Sequence, residues 1–149
     1  MQELEYPYNG ELLYQNKKKL KKQLLAQLDE KSCLHKKIAI LGGSTTRDIK
    51  LMLELFLLNY GIKPEFYESE FNQYYQDAMF PNQELEEFAP DVIFLHTSFR
   101  NITQFPALSD TPETVEELLQ AEYRKYEKMW TRLAQVYHCV IIQNNFEYP

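Results

Sequence analysis

The chain has 149 residues, of which 44% are hydrophobic and 26% are charged, and its formal net charge is −6. These proportions are typical of one folded globular domain and exclude disorder for most of the chain. The negative net charge argues against a nucleic-acid-binding protein, because contacts with phosphate groups need a basic surface.

Neither a membrane span nor a secretory signal is expected. The longest apolar run, Leu51 to Leu58, is interrupted by Glu54 and is too short to cross a bilayer. Met1 is not followed by a basic and then an apolar stretch, as a signal peptide would require. Two cysteines, Cys33 and Cys139, are too few for a disulfide framework and indicate a reduced, cytoplasmic location.

Residues 1–36 are predicted to contain an N-terminal amphipathic helix. Leucines recur at helical spacing from Asn9 to about Glu30, and Asn9 precedes the first turn. The lysines at positions 17, 18, 19, 21 and 22 are interpreted as the solvated side of this helix. The same basic cluster would also suit an acidic partner.

Residues 37–149 are predicted to form an α/β domain in which strands alternate with helices. The strands are apolar throughout rather than alternating, which is typical of a parallel sheet buried between helices. We therefore expect a three-layer αβα domain with about four parallel strands and helices on both faces. The predicted strands are 36–42, 63–68, 90–96 and 139–143, and the predicted helices are 49–59, two short ones within 69–88, and 111–137.

The end of the chain is unusual for such a domain. A strand is followed only by residues 143–149, with no helix to cover it. We therefore expect the domain to be truncated at its C-terminus, with part of any active site missing. Apolar sheet would then be exposed, and a homodimer is one way to cover it.

The first candidate site is the turn Gly43-Ser44-Thr45-Thr46, which joins a buried strand to a helix. In parallel sheets the loops after the strands meet at one edge, where ligands bind. A serine there exposes its hydroxyl beside the free amides of the helix, which stabilise an oxyanion. A second interpretation is that Ser44 or Thr45 only caps the helix, with residues 45–48 as a capping box. The spacing fits no phosphate loop, dinucleotide fingerprint or nucleophile elbow.

Two further loops follow strands at the same edge. His96, Arg100 and Asn101 offer a titratable group, a cation and an amide donor, while Asn72 and Gln73 are candidates for a polar pocket wall. Purely structural roles remain open, since a histidine at a strand end and an asparagine in a loop often only make local hydrogen bonds. The histidines and cysteines show no metal-ligand spacing, so we expect no metal and no cofactor.

The chain resembles the amino-terminal region of FkbH-like proteins, in which an SGNH-hydrolase-like domain precedes a phosphatase domain of the HAD superfamily. The resemblance covers residues 37–149, and the order of the short segments carries most of it. These segments are Gly42-Gly43-Ser44-Thr45-Thr46, Phe71-Asn72-Gln73-Tyr74, Pro90-Asp91-Val92-Ile93-Phe94-Leu95 and Ile142-Gln143-Asn144-Asn145-Phe146-Glu147.

The resemblance implies an SGNH-like fold in which Ser44 is the nucleophile and Asn101 an oxyanion donor. The other loop residues would then bind the substrate: Gly43, Thr45, Asn72, Gln73, His96 and Arg100. The family's glycine donor has no clear counterpart, because Asn72-Gln73 stands in its place. The Asp-x-x-His motif that activates the serine and the DxDx motif of the phosphatase domain are both absent, so both would lie beyond Pro149.

The implied function is acyl or glyceryl transfer to an acyl carrier protein, or ester hydrolysis, through Ser44. The lysine cluster at positions 17–22 would suit an acidic carrier protein. The alternative is a non-catalytic binding or docking module of the same fold. A flavodoxin-like or nucleotide-binding domain is a third interpretation, which rests on architecture alone.

Overall fold

The structure is a computed structural model that describes residues 1–147. Tyr148 and Pro149, the last residues of the resemblance, lie outside the described residues. Short 3-10 turns cover Gln2–Leu4 and Phe99–Asn101. The strands are β1 (Leu34–Gly42), β2 (Ile62–Glu68), β3 (Val92–His96) and β4 (Val140–Gln143), and the helices are α1 (Gly10–Gln27), α2 (Arg47–Asn59), α3 (Tyr74–Met79), α4 (Gln83–Phe88) and α5 (Pro112–Tyr137).

The four strands form one parallel sheet in the order β2-β1-β3-β4. The predicted α/β class, the parallel sheet and its three layers are therefore confirmed. Pro64 lies in β2, an edge strand, where a residue without an N–H is tolerated. All loops that follow the strands lie at the carboxyl edge of the sheet, as the sequence pattern predicts.

One face of the sheet packs against α3, α4 and α5. Alternate residues of β1 and β3 point to this side, because side chains alternate along a strand. They meet buried residues of α5 and complete the larger apolar core. Its fully buried members include Ala39, Leu41, Leu85, Ile93, Leu95, Met129 and Leu133.

The opposite face is covered by α2, and α1 packs on α2 in turn. Leu13, Leu20 and Leu24 of α1 pack with Leu55 and Leu58 of α2 in a second apolar cluster. The lysines of α1 face outward, and Lys21 pairs with Glu54 at 2.8 Å. The predicted amphipathic helix is therefore present, although it ends at Gln27 rather than near Glu30.

The far end of the sheet is less well covered. Val140 and Ile142 of β4 lie in register with Val92 and Phe94 of β3, on the side that α2 covers elsewhere. Both β4 side chains are at least half exposed. The expected exposure of apolar sheet is thus observed, while the homodimer stays a prediction.

The predicted helix ends agree with the structure at two places. Gly61 has φ of +72° directly after α2, which is the left-handed conformation that glycine adopts at helix C-termini. Thr111 caps α5 by accepting a hydrogen bond from Thr114 N, with Pro112 in the first turn.

Within the described residues, no helix is long and apolar enough to span a membrane.

We predict that Leu133→Ala lowers the free energy of unfolding by about 2–5 kcal/mol, because it opens a cavity in the larger core. Leu119→Ala on the same helix is the matched control, since Leu119 is 61% exposed whereas Leu133 is fully buried. Chemical denaturation of both variants gives the comparison. Equal losses for the two variants would contradict this assignment of the core.

Candidate active site

The candidate site is built where β1 and β3 end side by side. Gly42 of β1 pairs with His96 of β3, and the amide of Gly43 donates to the His96 carbonyl oxygen at 2.8 Å. This pairing places the turn after β1 against the end of β3. As a result, Ser44 Oγ lies 3.3 Å from His96 Nδ1.

His96 is half-buried, and its ring packs edge-on against Phe94 with 5.7 Å between the ring centroids. Burial lowers the pKa of His96 below its usual value, and the negative charge of Glu147 offsets this in part. The neutral form of the imidazole is therefore favoured at pH 7. With its proton on Nε2, its Nδ1 is free to accept the proton of the Ser44 hydroxyl.

Asn101 is buried and connects three loops. Its Oδ1 accepts a hydrogen bond from Ser98 N at 2.8 Å, and its Nδ2 donates to the Gly43 carbonyl oxygen at 2.9 Å. The same Nδ2 also lies 3.4 Å from Asn72 Oδ1. Both amide hydrogens of Asn101 are thus engaged. The predicted oxyanion donor has to release Asn72, its longer contact, before it can donate to a substrate.

The space for Asn101 depends on the absence of a side chain at Gly43. A Cβ on Gly43 would lie 2.4 Å from Asn101 Oδ1 and 2.5 Å from Nδ2. Asn72 reaches Asn101 from the loop after β2 with φ of +59°, a left-handed conformation that asparagine tolerates better than most residues. Gly43, Ser44, Asn72, His96 and Asn101 therefore form one connected group.

The remaining predicted site residues lie at the border of this group. Asn72, Arg100 and Asn101 line a shallow cavity of about 340 Å³, and the Arg100 guanidinium is exposed. Thr45 is exposed at the turn. Gln73 is exposed before α3, and its side chain has no hydrogen bond to any residue between 1 and 147.

The predicted capping box over residues 45–48 is wrong. Thr46 is the N-cap of α2, but its side chain makes no capping hydrogen bond. Its hydroxyl instead donates to Glu68 Oε2 at 3.0 Å, and Glu68 also pairs with Lys50. Glu68 lies at the end of β2, so only the sheet pairing brings it to Thr46. Among the described residues, no side chain caps the first turn of α2, beside Ser44.

A second hydrogen-bonded group fixes the loop after His96. Asn144 Oδ1 accepts from Thr97 N at 3.0 Å, and Asn144 Nδ2 donates to the Thr97 carbonyl oxygen at 2.7 Å. Gln143 Nε2 donates to Thr97 Oγ1 at 3.1 Å. The Asn144 side chain thus extends the pairing of β3 beyond the end of β4. The sequence analysis did not predict this role of Asn144, although Asn144 and Asn145, two amide residues directly after a strand, were a usable signal.

A larger, apolar cavity lies next to the shallow cavity lined by Asn72, Arg100 and Asn101. It has a volume of about 400 Å³ and lies between the loop 102–106, helix α5 and the residues Gln143 and Phe146. The Glu122–Lys125 ion pair lies between the two cavities, since Glu122 lines the larger one and Lys125 lines the shallow one. The apolar lining includes Ile102, Phe105, Val115, Leu118, Leu119 and Tyr123.

Metal ligands are grouped elsewhere in the molecule. Among residues 1–147, three or more potential ligands come together only at Glu30, Cys33 and His35, whose ligand atoms lie within 4.8 Å of one another. This group lies at the amino-terminal end of β1, whereas Ser44 follows its carboxyl end.

No family model and no curated protein matches the chain. Among solved structures it is similar to the crystal structure of the N-terminal part of the protein BF1531 from Bacteroides fragilis, which contains a phosphatase domain and is complexed with Mg. The TM-score is 0.66 at 19% sequence identity, over 89% of this chain and 34% of that one. At this identity the likeness shows the α/β fold. This chain spans about a third of the length of that neighbour.

We predict that Gly43→Ala displaces Asn101 and destabilises the protein by about 1–3 kcal/mol, as overpacking of a tight site does. Gly10→Ala is the control, because a Cβ on Gly10 would meet no atom of residues 1–147 within 4 Å. Thermal unfolding of the two variants tests this prediction. An unchanged unfolding temperature for Gly43→Ala would show that the loops do not depend on this close approach.

Proposed function

We propose that this chain is the SGNH-hydrolase-like domain of an FkbH-like protein, and that Ser44 attacks the carbonyl carbon of an ester or thioester. The observation that carries this proposal is the 3.3 Å separation of Ser44 Oγ and His96 Nδ1 at the carboxyl edge of the sheet. The similarity to the N-terminal part of a protein that contains a phosphatase domain agrees with this assignment at the level of the fold.

In the proposed reaction His96 acts as the general base. The Ser44 proton moves to His96 Nδ1 while Oγ bonds to the carbonyl carbon, which gives a tetrahedral oxyanion. Collapse of this intermediate breaks the bond to the alcohol or thiol leaving group, which takes the proton back from Nδ1. Water or a carrier thiol then removes the acyl group from Ser44. The family's base belongs to an Asp-x-x-His motif after this region, but His96 offers one within the chain.

Two groups are proposed to stabilise the oxyanion. The first is the amide of Ser44, in the turn just before α2; among the described residues no side chain caps the first turn of this helix, and its dipole favours negative charge nearby. Asn101 Nδ2 joins it once the 3.4 Å contact with Asn72 is released. Asn72 would therefore swing away from Asn101 when substrate binds.

The apolar cavity is proposed to hold the acyl part of the substrate. Its volume of about 400 Å³ is within the usual range for small-molecule sites. Acyl carrier protein is the proposed donor or acceptor of that group, and exposed Lys18, Lys19 and Lys22 of α1 would contact its acidic surface.

One observation favours the alternative of a non-catalytic binding module. Asn101 uses its whole amide group to hold Ser98, Gly43 and Asn72, which is what a purely structural residue does. In that case the same loops bind a partner or an acyl group without covalent chemistry. Labelling of the serine separates the two functions.

We predict that a fluorophosphonate probe labels the protein at Ser44. Ser44→Ala abolishes labelling, and His96→Asn slows it by about 10²–10⁴-fold, because the general base is lost. Mass spectrometry of the labelled peptide identifies the site. Ser109→Ala is the control, since Ser109 lies in a loop before α5, away from any histidine contact in the described structure.

Two results would favour the binding module instead. One is the absence of labelling in the intact protein at high probe concentration. The other is labelling that persists at full rate in His96→Asn, which would show that His96 does not activate the serine.

We also predict that the labelling rate falls as the pH drops below about 6.5, the ordinary pKa of histidine. Only neutral His96 accepts the proton, and because burial lowers its pKa the rate stays constant from neutral pH upward. Glu147→Gln removes a charge that raises this pKa, so the midpoint moves to lower pH. Glu117→Gln, an exposed change on α5, should leave the midpoint unchanged. A shift to higher pH in Glu147→Gln would contradict the assignment.

A further inference from the structure

Three chemically different metal ligands meet at the end of β1 that is remote from Ser44. Cys33 Sγ lies 3.5 Å from His35 Nε2, and the carboxylate of Glu30 completes a group whose ligand atoms are all within 4.8 Å of one another. Glu30 and His35 are exposed and Cys33 is half-buried, so a metal ion can reach all three. The proposed hydrolytic chemistry uses none of these residues.

We propose that Glu30, Cys33 and His35 form a zinc site. Zinc holds thiolate sulfur at about 2.3 Å and imidazole nitrogen at about 2.0 Å, so these two ligands of a tetrahedral ion lie about 3.5 Å apart. The observed separation of Cys33 Sγ and His35 Nε2 has this value. The spacing of these two ligand atoms is therefore already that of a pair bound to one ion.

The donor set selects the metal. Sulfur, nitrogen and oxygen ligands in a tetrahedral arrangement suit Zn²⁺, whereas Mg²⁺ and Ca²⁺ prefer oxygen ligands alone. Three protein ligands leave a fourth position for water or an external group.

A turn built around Asp29 positions Cys33. Asp29 Oδ1 accepts from Lys31 N at 3.1 Å, and Oδ2 accepts from Ser32 Oγ at 2.9 Å. The amide of Cys33 donates to the Asp29 carbonyl oxygen at 2.9 Å. These bonds engage both carboxylate oxygens of Asp29 and fix the loop that carries Cys33.

The other two ligands are held by the sheet. His35 lies in β1 and pairs with Lys63 of β2, and Lys63 Nζ donates to Glu30 Oε1 at 2.6 Å. This bond holds the Glu30 carboxylate in place through one of its two oxygens. The positive charge of Lys63 opposes the cation, so the site should bind zinc less tightly than one with four protein ligands.

A zinc ion here would join the loop after α1 to the start of β1. Any ligand that binds only the folded chain raises its stability. The ion would thus fasten α1 and its connection to the sheet, at the end opposite Ser44.

Cobalt(II) titration of the full chain, kept reduced with a thiol-free reductant, tests the site. We expect one Co²⁺ per chain, a near-ultraviolet thiolate-to-cobalt band, and loss of that band when Zn²⁺ is added. Cys33→Ser and His35→Ala should lose the band. Glu30→Gln should weaken binding by at least about tenfold, the range seen even for outer-shell changes.

Cys139→Ser and His138→Asn are the matched controls. These two residues lie between the end of α5 and the start of β4, outside the group of Glu30, Cys33 and His35. Both should bind cobalt like the parent protein, and Zn²⁺ should raise the unfolding temperature of the parent but not of Cys33→Ser. The proposal is overturned by the absence of the band, by a band that survives Cys33→Ser, by unchanged affinity in Glu30→Gln, or by one metal per two chains.

Discussion

The pairing of β1 with β3 is the constraint on which the candidate site depends. In this register Gly42 lies opposite His96, and the Gly43 amide extends the ladder by one hydrogen bond to the His96 carbonyl oxygen. The turn that carries Ser44 therefore begins beside the histidine, although 52 residues separate the two in sequence. A register slip of one residue would move His96 to the other face of the sheet and remove the serine–histidine contact. The chemistry of the site is in this sense a consequence of strand pairing.

Gly43 has a second role that follows from the first. Because Gly43 has no side chain, the Asn101 amide can approach the Gly43 carbonyl oxygen and at the same time hold Ser98 and Asn72. Loops from three strands are thereby joined by one buried side chain. A buried amide with satisfied donors and acceptor stabilises such a junction, while an unsatisfied one would cost about 1–3 kcal/mol. Any use of Asn101 in catalysis must therefore compete with its use in holding the loops.

The sequence predicts the layers of this fold better than it predicts the contacts of the site. Apolar strands, the Gly61 helix end and the Thr111 cap are local signals, and each is confirmed. The capping box at residues 45–48 is wrong because Glu68, brought in by β2, takes the Thr46 hydroxyl. His96 is expected as a titratable, substrate-binding residue and not as the partner of Ser44, because its approach to Ser44 depends on sheet register. The spacing of Cys33 and His35 fits no known metal motif, and Glu30 joins them only through the turn at Asp29.

The orientation of His96 bears on how fast the proposed reaction can be. In serine hydrolases with a full triad, a carboxylate hydrogen-bonded to the histidine fixes its tautomer and stabilises the imidazolium. Here Nδ1 faces Ser44, and the described residues provide no hydrogen bond to Nε2, while Glu147 acts on the ring only through its charge. A base held in this way is neutral and correctly placed, but nothing rigid stabilises its charged form. Loss of the triad carboxylate in a complete hydrolase slows turnover by about 10⁴-fold. The two-residue arrangement is therefore suited to reaction with an activated thioester or probe, and a slow rate on simple esters would be consistent with it.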